Sequence, residues 1–199
     1  MILIWTLAAF ISGSLPFSVW IGRLALGRDI RQVGDGNPGA TNVLRAGGRG
    51  WGTLAGFLDA MKGVVPVGLV YWFAGLRGVE LVIVALAPIL GHAFSPFLRF
   101  KGGKAVAVTF GIWAGLTIYE LPVVLGLMLF FWFKAVTISG WAVVLTLLSG
   151  LAYLALARPD PALLAVMAGN LLILAWRHRA DLAQPIGLRP WFRKQPSIL

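Results

Sequence analysis

Residues 2–24 read ILIWTLAAFISGSLPFSVWIGRL, an apolar run in which Arg23 is the sole charged residue. About 20 apolar residues carry a helix across the hydrocarbon core of a bilayer, and this run is long enough to do so. It has no basic segment ahead of it and no clear small-residue cleavage pattern, so it reads as a retained span rather than a signal peptide. Apolar runs of similar character follow at 51–76, 79–98, 105–118, 121–136, 138–157 and 161–176. The turn Pro159–Asp160–Pro161 separates the last two. The fold class expected is therefore all-α: a polytopic integral membrane protein with about seven transmembrane helices, residues 1–199 forming a single transmembrane domain.

Composition agrees. Of 199 residues, 59% are hydrophobic and 12% charged, about half the charge of a soluble domain, and the mean hydropathy is +0.86. Lys and Arg number 17 against 7 Asp and Glu, a net charge of +10. Nucleic acid is the common partner of so basic a chain, but nucleic-acid-binding domains are polar and this chain is not, so no nucleic-acid partner is expected. The absence of Cys excludes a disulfide framework, a thiol nucleophile and a Cys-based metal site. With two histidines, a His-rich metal cluster is excluded as well, and nothing calls for a cofactor.

The basic residues sort by loop. Arg23, Arg28, Arg31, Arg45, Arg49, Arg99, Lys101, Lys104, Lys134, Arg177, Arg179, Arg189, Arg193 and Lys194 fall on one side of the expected bundle, and only Arg77 and Arg158 on the other. Cytoplasmic loops collect Lys and Arg, so the N-terminus is expected outside and the C-terminus in the cytoplasm.

Two loops on the basic side carry the chemistry. The first, residues 27–50, reads GRDIRQVGDGNPGATNVLRAGGRG. Gly34, Gly36 and Gly39 permit positive φ and a close backbone approach to a ligand. Thr41 and Asn42 add side-chain donors, and Arg45 follows on a short helix whose N-terminus favours an anion. The second, residues 91–111, reads GHAFSPFLRFKGGKAVAVTFG, where Lys101, Gly102, Gly103 and Lys104 pair exposed backbone amides with ammonium groups ahead of a helix. The plainer alternative for both loops is charge that only orients the chain.

Other polar residues each leave two readings. His92 is either a buried imidazole satisfied by a backbone carbonyl or a contact to the Gly-rich loops. His178, between Arg177 and Arg179, either reaches substrate phosphate or rests among lipid headgroups. Asp59 and Lys62 stand three apart within the second span, where an interior ion pair is favoured. Ser14, in Ser12–Gly13–Ser14, either permits close helix approach or points into the site. Arg189 to Lys194, with Trp191 and Phe192, reads as an interfacial anchor.

GSLPF in the first span, DIRQVGDGNPGATNVLR in the first loop, DAMKG in the second span, GHAFSPFLRFKGGKAVA and the final Trp-Arg-His-Arg together resemble the bacterial acyl-phosphate:glycerol-3-phosphate acyltransferases. The resemblance implies a seven-helix enzyme of the bacterial inner membrane with its active site facing the cytoplasm. Such an enzyme moves a fatty acyl group from acyl phosphate to the 1-hydroxyl of glycerol 3-phosphate, giving lysophosphatidic acid and phosphate. It also implies that Asn37, Thr41, Asn42, Arg45, Gly102, Gly103 and Lys104 bind the phosphates, with His178 near substrate. Arg45, Lys104 and His178 are the expected transition-state contacts, and Ser14, Asp35, Gly36, His92 and Asp181 complete the expected substrate-binding set. The family is thought to use no protein base, the donor's phosphate oxygen taking the hydroxyl proton. No Ser-His-Asp arrangement and no His-x4-Asp pair stands in the sequence, which leaves positioning and charge stabilisation to the protein.

The chain also departs from the pattern. Asp35 stands where the family usually has Ser, Ala105 where it has Gly and Asp181 where it has Asn, and the glutamate of the tail is missing. A carboxylate at position 35 repels phosphate unless Arg45 or Lys104 neutralises it. Two other readings stay open: a non-catalytic or altered-specificity paralogue, and a transporter or flippase of an anionic lipid or phosphate.

Overall fold

The computed structural model describes residues 1–192, all of them in helices, short turns of helix and loops apart from one isolated bridge, Val136 with Leu188. Arg193 and Lys194 lie outside the described residues. The opening run is not one straight helix. Pro16 pushes the residue before it out of helical geometry, Leu15 takes ψ 123, and the run divides into α1 (Ile2–Ser14) and α2 (Phe17–Leu26).

At that break the Leu15 carbonyl accepts from the Phe17 N–H at 3.1 Å, and Lys62 supplies a second donor. Its Nζ donates to Leu15 O at 2.8 Å and to His92 Nδ1 at 3.0 Å, and lies 2.7 Å from Asp59 Oδ1. Ser18 donates to the other Asp59 oxygen at 2.7 Å, and Ser12 donates to the Lys62 carbonyl at 3.0 Å. Both members of the ion pair are 2% exposed at their side chains. Charges so deeply buried persist only when paired and hydrogen-bonded. The pair expected from the sequence is thus present, and it is also the joint at which α1, α2, α4 and α5 meet.

The remaining helices are α3 (Ala40–Gly47), α4 (Arg49–Gly68), α5 (Gly78–Ala93), α6 (Val106–Thr117), α7 (Glu120–Ala135), α8 (Ser139–Ala157), α9 (Pro161–Arg177) and the single turn α10 (Arg179–Leu182). Of these, α4 to α9 fall on the expected apolar runs, while the short α3 and α10 lie outside them. A π-helical turn, Leu69–Phe73, extends α4. Four helical segments, 2–26, 49–73, 78–98 and 139–157, are long and apolar enough to cross a bilayer. Asp160 caps α9 by accepting from the N–H groups of Ala162 and Leu163, with Pro161 at the first helical position, which makes the Pro-Asp-Pro turn a sharp helix start.

Small residues set the packing. A Cβ at Gly13 would strike the Pro88 carbonyl and one at Gly91 the Phe10 carbonyl, so α1 and α5 touch backbone to backbone. Gly63 and Gly111 do the same for α4 and α6, the latter against Ala60 O. Inside, Trp113 donates to Asn170, which donates to Thr109, a polar tie between α6 and α9. Outside, large apolar side chains face outward: Phe73 is 83%, Leu156 87% and Leu172 71% exposed. Water would not tolerate such a surface, but hydrocarbon would.

Substituting Lys62 by Met leaves the Asp59 carboxylate buried and unpaired, a loss of about 3 to 5 kcal/mol. Lys62→Met is therefore expected to lower the thermal midpoint in detergent sharply, and adding Asp59→Asn to recover a large part of it. Equal midpoints for the single and double variants would refute this account of the joint.

Candidate functional site

Polar segments far apart in sequence meet at one end of the bundle around a cavity of about 480 Å³. Its walls include Asp35, Asn37, Thr41 and Arg45 from the first loop and α3, Lys104 and Ala105 from the second loop, Ser139 from α8, and His178 after α9. Asp59 and His92 lie at its inner limit, and Val106, Leu129, Phe133 and Val143 form an apolar flank.

The first loop is anchored by Ile30, fully buried against Gly22. Gly34 and Gly36 adopt φ of 60° and 72°, which glycine takes without strain. A side chain at Gly34 would also run into Arg45 and Asn42. Gly39, expected to need positive φ, is instead extended; it precedes α3, and its lack of a side chain makes room for the Asn37 amide. Asn42 is buried and braces the loop, donating to Asp35 Oδ1 at 3.0 Å and Asn37 O at 2.9 Å while accepting from Arg45 Nη1 at 3.0 Å. Thr41 in the first turn of α3 faces the cavity, whereas Arg45 stands in the last turn of that helix. Gly36 is exposed but is not part of the cavity wall.

The second loop departs from expectation. Gly102 and Gly103 are buried, so they do not offer exposed amides. The Gly103 N–H is spent on His92 O at 3.0 Å, and Arg177 donates to the carbonyls of both glycines. Their smallness is required because a Cβ on Gly103 would meet the His92 ring and one on Gly102 the His92 carbonyl. Ala105 holds φ 60° just before α6, a left-handed geometry that explains a preference for Gly at this position. Ser95 ties the loop to the α1 break by donating to Ser14 O at 2.6 Å.

Two further expectations change. His92 is buried, but its Nδ1 meets the Lys62 ammonium, not a backbone carbonyl. An ammonium only donates, so Nδ1 accepts and the ring proton sits on Nε2. Ser14 Oγ donates to Phe10 O within its own helix, 2.7 Å away, which fits the close-packing reading better than a side chain aimed into the cavity. Arg177, read from sequence as mere loop charge, is the tether of the Gly-Gly turn; only the fold brings it there.

The electrostatics centre on Lys104. Its Nζ lies 3.1 Å from Asp35 Oδ2 and 3.6 Å from Asp181 Oδ2, so the two carboxylates that depart from the pattern converge on one ammonium. Burial alone would raise the Asp35 carboxyl, but hydrogen bonds from Lys104, the Asn37 N–H and Asn42 hold it below its ordinary range. Asp181 Oδ2 also takes the Nδ1 side of His178 at 3.1 Å. The other ring nitrogen of His178 is buried and has no hydrogen-bond partner among the described residues. Burial lowers the pKa of His178 and outweighs the hydrogen bond it makes to Asp181.

Apolar helices of spanning length with a polar, Gly-braced cleft at one end define an integral membrane protein. The family profile described as Glycerol-3-phosphate acyltransferase matches residues 3–186. The chain belongs to that family. A glycerol-3-phosphate acyltransferase of Aromatoleum aromaticum is 40% identical over 190 residues, 90% of each chain. One from Rubrobacter xylanophilus is 39% identical over 178 residues, 88% of this chain and 86% of its own. With glycerol-3-phosphate acyltransferase 1 of Thermotoga maritima the identity is 48%, but the match spans only 58% of that protein's length. Crystal structures of PlsY, an integral membrane glycerol 3-phosphate acyltransferase, superpose with a TM-score of 0.82 in both the glycerol 3-phosphate and the lysophosphatidic acid forms. The first is 31% identical, covering 92% of this chain and 90% of that one.

Asp35→Asn keeps an acceptor for Asn42 but removes one of the two charges on Lys104. Partly exposed ion pairs of this kind are worth about 0.2 to 1 kcal/mol, so inorganic phosphate should bind about two- to fivefold more tightly to the detergent-purified variant by calorimetry. Unchanged or weaker binding would refute competition between Asp35 and the ligand for Lys104.

Proposed function

We propose that the protein transfers a fatty acyl group from acyl phosphate to the 1-hydroxyl of glycerol 3-phosphate, releasing lysophosphatidic acid and inorganic phosphate. The observation that carries this reading is a single cleft with Arg45, Lys104 and the first turn of α3 on one side and Val106, Leu129, Phe133 and Val143 on the other. Both substrates are anionic and one carries a long apolar chain, which is the combination such a cleft suits. Acyl phosphate is already an activated mixed anhydride. The protein's task is to bring two anions together and to stabilise negative charge on the carbonyl oxygen as the hydroxyl attacks. Well-oriented reactants gain roughly 7 to 11 kcal/mol from proximity alone.

In this reading Asn37, Thr41, Arg45, Lys104 and His178 meet substrate, while Asn42, Gly102, Gly103 and His92 hold the walls. Ser14, Gly36, Asp35 and Asp181 shape the cleft or its charge. The seven apolar helical runs are spans, the N-terminus lies outside, and the cleft opens to the cytoplasm from a bacterial inner membrane. The Lys and Arg bias of the loops at the cleft end supports that orientation. An acceptor other than glycerol 3-phosphate is the second reading, favoured by the two carboxylates at Lys104, which lower the positive charge of the cleft.

Purified protein incubated with acyl phosphate and radiolabelled glycerol 3-phosphate should form lysophosphatidic acid. A preparation that binds glycerol 3-phosphate yet forms no product would overturn the enzymatic reading. Arg45→Ala and Lys104→Ala should each cut activity at least about tenfold with the thermal transition retained, each removing a charged contact of about 1.5 to 3 kcal/mol. A loss under twofold would return that residue to a topological role.

A further inference from the structure

We propose that a second cavity, at the same end of the bundle as the cleft but separate from it, binds the phosphate headgroup of an anionic membrane lipid. The cavity holds about 630 Å³ and is lined by four cations: Arg23 from α2, Arg31 from the short turn Ile30–Gln32, and Arg99 and Lys101 from the second loop. None of the four lines the cleft, so the proposal does not depend on the acyltransfer reading. The two cavities share one wall. In the first loop Asp35 and Asn37 face the cleft, whereas Gly36 and Pro38 face the second cavity.

The cavity concentrates positive charge that the protein itself leaves uncompensated. Asp29 is the one carboxylate that pairs with any of the four cations among the described residues, 3.2 Å from Arg23 Nη2 and accepting from Arg31 Nε at 2.9 Å. It is not part of the wall; it fixes the two guanidinium groups, whose side chains stay 56% and 39% exposed. A guanidinium carries five N–H donors. Arg23 commits only Nη2, and Arg31 only Nε and Nη2, so both keep donors for a ligand. The side chains of Arg99 and Lys101 make no hydrogen bond or ion pair among the described residues. Four like charges around one opening repel one another, and a single carboxylate does not offset them. A phosphate monoester does, because its oxygens accept from several cations at once.

The second loop also points to a lipid as the source of that phosphate. Arg99 and Phe100 hold φ of 53° and 60°, a left-handed geometry that disfavours residues with a Cβ. The Phe100 N–H bonds Ser95 O at 2.8 Å and the Lys101 N–H bonds Leu98 O at 3.0 Å, which hold the turn in place. This turn brings Arg99 and Lys101 into the wall and leaves Phe97 and Phe100 55% and 64% exposed beside them. Leu24, next to Arg23, is 87% exposed. Cations interleaved with exposed apolar side chains match the boundary between headgroups and acyl chains. A free phosphate ion shares the contacts to the cations but offers nothing to the phenyl rings.

Native mass spectrometry of the detergent-purified protein with phosphatidic acid tests the proposal, with phosphatidylcholine of the same chains as the zwitterionic control. Arg99→Gln combined with Lys101→Gln removes two exposed charges that hold nothing else in the fold, so the thermal transition should be retained. Each cation near a headgroup adds to the attraction for anionic lipid, so the double variant should bind phosphatidic acid at least about fivefold more weakly and phosphatidylcholine equally well. Lys104→Ala, which changes only the cleft, should keep the phosphatidic acid adduct. Equal phosphatidic acid binding by the wild type and the double variant overturns the site. Loss of the adduct in Lys104→Ala but not in the double variant overturns it too, because the lipid then sits in the cleft. If the wild type prefers phosphatidic acid no more than phosphatidylcholine, the lipid is overturned; calorimetry showing inorganic phosphate binding that the double variant loses and Lys104→Ala keeps would then support the site for soluble phosphate. Should the double variant lose its thermal transition, Lys101→Gln alone decides: about twofold weaker phosphatidic acid binding supports the site, and unchanged binding refutes it.

Discussion

The Lys62 ammonium is the constraint on which the rest of the structure depends. It sits inside an apolar bundle, where an unpaired charge would be prohibitively costly, and each of its contacts belongs to a different part of the fold. Asp59 lies on its own helix, the Leu15 carbonyl at the break between α1 and α2, and His92 near the end of α5. The proline that breaks the first apolar run leaves the Leu15 carbonyl facing the Phe17 N–H, and the buried lysine adds a second donor. The break gives the lysine an acceptor for one of its protons, and the lysine ties the break to α4.

From that joint the order passes outward to the site. His92, fixed at Nδ1 by Lys62, presents its carbonyl to the Gly103 N–H and the Nε2 edge of its ring to Gly103 itself. Arg177 then holds the carbonyls of the same turn from the end of α9. The Gly-Gly turn is thereby clamped between α5 and α9, and Lys104, the next residue, is delivered to the cleft on a rigid mount. A flexible lysine on a free loop would lose entropy on binding an anion; one whose backbone is already fixed loses less. The first loop reaches a similar end by different means, with the buried Asn42 bonding both the turn and Arg45.

The charge balance of the cleft is finer than its basic composition implies. Lys104 faces carboxylates from two separate segments, and one of them also orients His178. The Lys104 ammonium is therefore already paired on two sides and does not present an open positive field.

Apolar run length and loop charge were enough, in the sequence, to locate the long apolar helical runs, though not the break at Pro16 or the short α10, and to single out the two Gly-rich loops, because hydropathy and run length are local properties of the chain. The ion pair of Asp59 and Lys62 was legible too, from a spacing that puts both on one helical face. What could not be read was which partner each polar group finds. Nothing local to Gly102 and Gly103 says that the Gly103 amide turns inward to His92, nor that Arg177, 74 positions from Gly103, tethers them. Asp35 and Asp181 looked like unrelated departures until the fold brought both to Lys104. The sequence by itself determined a helical membrane protein with a basic, glycine-rich face; the tertiary structure alone decided which of those residues meet in the cleft and which spend their hydrogen bonds holding it open, because in an apolar interior every polar group must be satisfied by whatever the packing brings within reach.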